Sequence, residues 1–194
     1  GIIPKMTKAA FSWLLLFMLV LLFSCNPQKR ALRKMMAGCD TVVMAAQKSP
    51  RYSGKVAIYL SEQFVNQAAE AFTIGSLQKN HMQKLSLRKE PFRNIHDTSR
   101  IDTIYHFSGK RDSIKFYRSR EKDLMIYVSI ADPELALHRC VRPGMSKDTF
   151  LDIFGITPPV GKIIKIANRD QTLIFIFYFR ENKLHRIRSD IYFG

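Results

Sequence analysis

The sequence predicts an α+β fold in which short helices pack on one face of an antiparallel sheet, arranged as two tandem helix-plus-three-strand units. Three features predict it. An apolar period of one helical face runs through residues 61–72, and from residue 101 the period changes to two. After residue 146 a second short helix is again followed by three strand-like runs.

Taken in order, residues 26–50 are basic and Met-rich, with Leu32, Met35 and Met36 at helix-compatible spacing. Ser49-Pro50-Arg51-Tyr52-Ser53-Gly54 breaks that pattern. Ser61 is a good N-cap, and Phe64, Val65, Ala68, Ala69 and Phe72 then line one face, with Gly75 as the stop. Between Leu77 and Arg100 the pattern is weak and polar, which reads as a second short helix and a loop. Ile101, Thr103, Tyr105 and Phe107 alternate with polar neighbours, Ile114 and Phe116 open another strand, and Ile126, Val128 and Ile130 form a third. Polar turns at 108–112 and 119–123 join them into an antiparallel meander. In the C-terminal stretch a helix over 147–154 precedes strands near 160–167, 173–179 and 184–193, with turns at 168–171 and 180–183.

One strand differs from the rest. From Leu173 to Phe179 both alternating faces are apolar, whereas a strand with one wet face alternates with polar residues. Either both faces are covered from within, the ordinary case for a central strand, or Ile174, Ile176 and Tyr178 form a partner face.

The N-terminal residues have the order of an export signal. Met6 is the natural start, with Gly1 to Lys5 reading as upstream sequence. Lys8 supplies the basic region, Ala9 to Phe23 the apolar run, and Ser24 a small residue before Cys25. The apolar run is short for a span, which needs about 20 residues. The ending Leu22-Phe23-Ser24-Cys25 resembles the bacterial lipobox, although Phe23 is larger than usual there. That resemblance implies a signal peptide over 1–24 and lipidation of Cys25, the first residue of the mature lipoprotein. Composition and patterning then suggest a basic tether over 25–50, ahead of α+β units at 51–135 and 136–194. Two or more acyl chains, each buried methylene contributing about 0.8 kcal/mol, hold a protein durably on a membrane. Asn26 stands where inner-membrane lipoproteins often carry Asp, and resemblance to that sorting rule implies the outer membrane; a periplasm-facing chain is expected there, with surface display as the alternative.

Composition bounds the partners. Apolar residues make up 46% of the chain, with 14 Phe and 7 Tyr, enough for a core and too much for a disordered chain. Lys and Arg outnumber Asp and Glu by 31 to 16, for a net charge of +15, which would ordinarily suggest nucleic acid. An exported chain does not meet the genome, so an anionic lipid or acidic glycan of the cell envelope replaces nucleic acid as the anionic partner. Arg118, Arg120, Lys122, Arg186 and Arg188 are the candidate anion-binding residues. With Cys25 assigned, Cys39 and Cys140 remain, and outside the cytoplasm they form either a disulfide or two buried thiols.

No catalytic, metal or cofactor pattern stands out. The chain lacks His-Glu-x-x-His, Gly-x-Ser-x-Gly and a Walker loop. Asp97-Thr98-Ser99 lacks the glycine of an aspartic-protease triplet. His138 lies two residues from Cys140, but a nucleophile–base pair needs a third, orienting group.

The most informative segment is Val141 to Pro158. Ser146 is placed to cap a helix and Asp148 to meet the positive end of its dipole. Met145 and Phe150 occupy the two positions of a hydrophobic staple. Gly155 suits a left-handed stop, and Pro158 prevents the helix resuming. Followed by a Phe-rich hairpin (Phe177, Phe179, Asn182, Leu184), this string resembles the BamE (SmpA/OmlA) family of small outer-membrane lipoproteins over about the last fifty residues. The matching motif is Gly144, Met145, Ser146, Gly155 and Pro158. One extra residue separates Gly155 from Pro158, Phe150 replaces an aliphatic residue, and Ile163-Ile164-Lys165-Ile166 stands where that family is aromatic-rich. The resemblance implies a non-enzymatic, protein-binding or scaffolding role in outer-membrane assembly or maintenance. The wider fold group includes tandem-repeat proteins of the β-lactamase-inhibitor-protein type, which act by binding other proteins.

Replacing Cys25 with Ser is expected to abolish incorporation of labelled palmitate in a bacterial host and leave the precursor uncleaved on a gel. Label retained by the variant would place the lipid elsewhere.

Overall fold

The computed structural model describes residues 44–48, 56–94, 97–120, 122–158 and 160–191. The expected export signal, Cys25, Cys39 and the expected break at 49–54 lie outside them. The elements are β1 (Gln47–Lys48), β2 (Ile58–Leu60), α1 (Glu62–Ala71), α2 (Ile74–Asn80), β3 (Ser86–Arg93), β4 (Ile101–Ser108), β5 (Ser113–Arg118), β6 (Asp123–Ile130), α3 (Lys147–Phe154), β7 (Ile163–Ala167), β8 (Leu173–Arg180) and β9 (Lys183–Ile191).

The expectation of short helices on an antiparallel sheet, arranged as two tandem helix-plus-three-strand units, is corrected. All nine strands join one mixed sheet in the order β1-β2-β7-β8-β9-β6-β5-β4-β3. Folded separately, the two meanders would leave β6 and β9 as unpaired edges. Instead these strands pair with each other through Ser129↔Arg188 and Ile130↔Ile187. The sheet is not purely antiparallel either, because β2 runs parallel to β7.

Two local expectations also change. Gly75 does not end α1; it lies inside α2. The break falls at Thr73, whose side chain accepts from Ser76 N at 3.1 Å while Ser76 Oγ accepts from Thr73 N at 3.0 Å. The polar stretch after α2 contains a full strand, β3. It is an edge strand, where polar residues are wet on both sides and Pro91 is tolerated. Arg88, Lys89 and Arg93 also deter pairing with another chain.

The helices' apolar faces bury one face of the sheet. Phe64 of α1 packs edge-on to Phe154 of α3 at 5.1 Å and to Phe175 of β8 at 5.7 Å, measured between ring centres. Phe150 lies 4.7 Å from both Phe154 and Phe177. Each such ring contributes about 1.5–3 kcal/mol through burial and about 0.5–1.5 kcal/mol more through ring geometry.

Helix α3 is made as its sequence predicts. Ser146 Oγ accepts from Thr149 N at 3.1 Å. Gly155 has φ +61°, Gly155 N donates to Asp152 O and Ile156 N to Leu151 O, which is the Schellman arrangement. The β8–β9 hairpin grips the start of this helix. Glu181 and Asn182 both have positive φ, as a type I′ turn requires. Asn182 O accepts from Lys147 N at 2.9 Å, and Asn182 Nδ2 donates to Asp148 at 3.1 Å.

At the seam between the two meanders, Val128 N donates to the buried Ser189 Oγ at 2.7 Å, so a side chain completes the pairing of β6 with β9. Ser189→Ala is expected to strand that amide and lower stability by about 1–3 kcal/mol, read from urea unfolding. Ser189→Thr, which keeps the hydroxyl, should lose less.

Candidate functional site

Strand β8 has two different faces. Phe175, Phe177 and Phe179 are buried against the helices, whereas Ile174, Ile176 and Tyr178 are half-buried on the other side. The described residues therefore do not cover the second face as they cover the first. Residues directly opposite each other in a ladder share a face, so the register names the neighbours of this apolar row. Tyr178 lies between Ile163 and Arg186, Ile176 between Lys165 and Arg188, and Ile174 between Ala167 and Asp190. Ile163 is itself 37% exposed. The row is thus an apolar strip in the middle of the sheet, flanked on β9 by two arginines.

Those arginines rest on β6. Arg186 Nη1 donates to Ser129 Oγ at 3.3 Å, and the Arg188 guanidinium sits over the Tyr127 ring at 5.9 Å. The structure therefore brings together the predicted partner face and two of the five predicted anion-binding residues.

The other three do not join them. Arg118 lies on the helix-side face, in line with Phe116. It forms a bidentate pair with Asp123, Nε to Oδ1 at 2.5 Å and Nη2 to Oδ2 at 2.6 Å. It also stacks on Tyr105 at 4.7 Å and donates to the Tyr105 hydroxyl at 3.1 Å. The hydrogen bond to Asp123 raises the basicity of Arg118 and holds the Asp123 carboxyl below the usual range. Arg118 is a structural cation. Arg120 and Lys122 lie in the β5–β6 turn, away from Arg186 and Arg188.

Groups with catalytic potential are otherwise engaged. Cys140 is buried and disulfide-bonded, so its sulfur is not a nucleophile. Cys39, its expected partner, lies outside the described residues. His138 Nδ1 accepts the backbone N–H of Cys140 at 3.3 Å, and burial pushes this imidazole below its usual range. Asp97 and Ser99 serve a loop: Asp97 Oδ1 accepts from Ser99 N at 3.1 Å and from Ser99 Oγ at 2.6 Å. His106 Nε2 is 3.0 Å from Ser113 Oγ and 3.1 Å from Ser108 Oγ. Among the described residues, no carboxylate orients the other nitrogen of that ring, and no group of three or more His, Cys, Asp or Glu could hold a metal.

Sequence reasoning missed a polar cluster on the open face. The Tyr117 hydroxyl and Asn94 Nδ2, the latter at 2.7 Å, both donate to Asp102 Oδ2. They hold the Asp102 carboxyl below its ordinary value and tie Asn94 to β4 and β5. No family model matches this chain, and neither a curated protein nor a solved structure matches it. What the chain does has to come from the chemistry of its own surface.

Because the folded pKa of Asp102 is depressed, its contribution is present above the unfolded value near 3.8 and is lost as pH falls through the folded value. Tyr117→Phe removes the largest cause. It is expected to move the Asp102 carboxyl upward in an NMR titration and to shift the onset of acid unfolding to higher pH.

Proposed function

We propose that this chain is a lipid-anchored, periplasm-facing lipoprotein of the outer membrane. It works without catalysis, as a protein-binding or scaffolding module in assembly or maintenance of that membrane. The observation that carries this reading is the second face of β8. Ile174, Ile176 and Tyr178 stand half-buried on an interior strand of the sheet, with Arg186 and Arg188 beside them. An apolar centre with charged groups at its margin is the anatomy of a protein interface. Aromatic and arginine anchors such as Tyr178 and Arg188 are the residue types that dominate binding energy.

Two further features support it. The lipobox-like ending at Cys25 supplies the anchor, and the BamE-like string from Gly144 to Pro158 precedes the hairpin that carries this face. Among the described residues, no helix is long and apolar enough to cross a membrane.

The test is a pull-down of the C-terminally tagged full chain from gently solubilised membranes. Point variants are preferred to truncation, because β7, β8 and β9 belong to the same sheet as the rest. Subunits of the β-barrel assembly machinery are expected at matched amounts. Ile176→Glu and Arg188→Glu are each expected to cut recovery about tenfold or more, the size of an interface anchor's effect, while cooperative unfolding is kept. Unchanged recovery with both variants would overturn the reading.

A further inference from the structure

On the other half of the same face, the register aligns side chains that lie far apart in sequence. Ser86, Ser108, Ser113 and Ser129 are successive neighbours across β3, β4, β5 and β6, and Ser129 is followed by Arg188 on β9. The adjacent row on that face is Arg88, His106, Lys115 and Tyr127. With strands about 4.8 Å apart, four of them span about 15 Å, the length of a short oligosaccharide.

These rows form a connected polar surface. His106 bridges the hydroxyls of Ser108 and Ser113, Arg186 reaches Ser129, and Arg188 covers Tyr127. The acids near it are Glu90, which is paired with Arg88, and Asp190 on β9. Arg88 remains 69% exposed, while His106, Lys115 and Tyr127 are half-buried and reachable. The patch is positive: beyond burial, the charges of Lys115 and Arg88 depress the basicity of His106.

We infer that this half of the face binds an acidic glycan, a sugar chain bearing carboxylate or phosphate groups. Arg88, Lys115 and Arg188 meet the anions, the hydroxyls of Ser86, Ser108 and Ser113 and the His106 ring exchange hydrogen bonds with sugar hydroxyls, and Tyr127 offers a ring face, while the buried Ser129 only positions Arg186. The chemistry of the rows excludes the neighbouring classes. An extended peptide binds a sheet by its edge, through backbone pairing, and a sheet face offers none. A membrane contact needs apolar side chains to insert, and neither row carries an aliphatic one. The choice of glycan over nucleic acid rests on the envelope location proposed above; the binding surface does not.

The test uses the full chain in mild detergent with polygalacturonate as the probe, read by calorimetry. Binding is expected to weaken steeply with salt and to vanish for the fully methyl-esterified polymer. The pair Arg88→Ala and Lys115→Ala should weaken it about tenfold or more, whereas Lys79→Ala with Lys162→Ala, the same charge change elsewhere, should cost about twofold at most. Ser113→Ala, which leaves the charge unchanged, should weaken polygalacturonate about threefold and leave polyglutamate unaffected. Polyglutamate or an oligonucleotide binding as tightly as polygalacturonate would overturn the inference. Equal losses from the Arg88 and Lys115 pair and from the Lys79 and Lys162 pair would overturn it as well. Loss of a protein partner in Ile176→Glu with polygalacturonate binding intact would separate this site from the interface proposed for β8.

Discussion

A strand edge left open is a row of unpaired amides, and a chain with two meanders must either cover those edges or join them. Here they are joined, and the joint is narrow. Ser129↔Arg188 and Ile130↔Ile187 form the described ladder between β6 and β9, and the Ser189 hydroxyl takes the next amide. Much follows from that joint. It places Phe107, Ile114 and Phe116 of one meander in the same core as Phe175 and Phe177 of the other, so three short helices suffice to cover one face. It also sets the second faces of both meanders side by side, where neither alone would offer so long a surface.

The local elements were legible because they depend on short-range pattern. The period of α1, the caps of α3 and the alternation in β4, β5 and β6 all lie within windows of a few residues. Strand partners do not. Nothing near Ser129 in sequence says that Arg188 lies beside it, and nothing near Ile58 says that it will run parallel to Lys165. Strand β3 was illegible for a related reason. Its position at the edge relieves it of the alternation by which strands are recognised, and only Leu87 packs against the core.

The candidate site divides along the same line. Ile174, Ile176 and Tyr178 stood out because an apolar residue on every position of a strand is visible locally. The basic residues were grouped by nearness in sequence, which misleads on a strand, where successive side chains point to opposite faces. Arg118 accordingly serves Asp123 and Tyr105 on the helix side, while Arg186 and Arg188 face the other way. The serine row is wholly a product of register.

Charge decides how such a face can be used. Two cations are already spent, Arg118 on Asp123 and Lys84 on Asp132 and Glu134, whereas Arg88 meets Glu90 through one nitrogen and stays exposed. Arg186 and Arg188 are held by a hydroxyl and a ring, neutral groups that fix position without cancelling charge. Burying such a guanidinium under a dry partner costs several kcal/mol unless an anion meets it. A protein seated on Ile176 must therefore bring a carboxylate opposite Arg188, or end short of it and leave the arginine at a wet rim. A polyanion faces no such choice, because each anionic group it places on the arginines releases counterions and meets little opposing charge. The apolar strip and the hydroxyl-and-cation rows thus select partners of different chemistry, and Arg188, which borders both, is the residue through which occupancy of one half would be felt by the other.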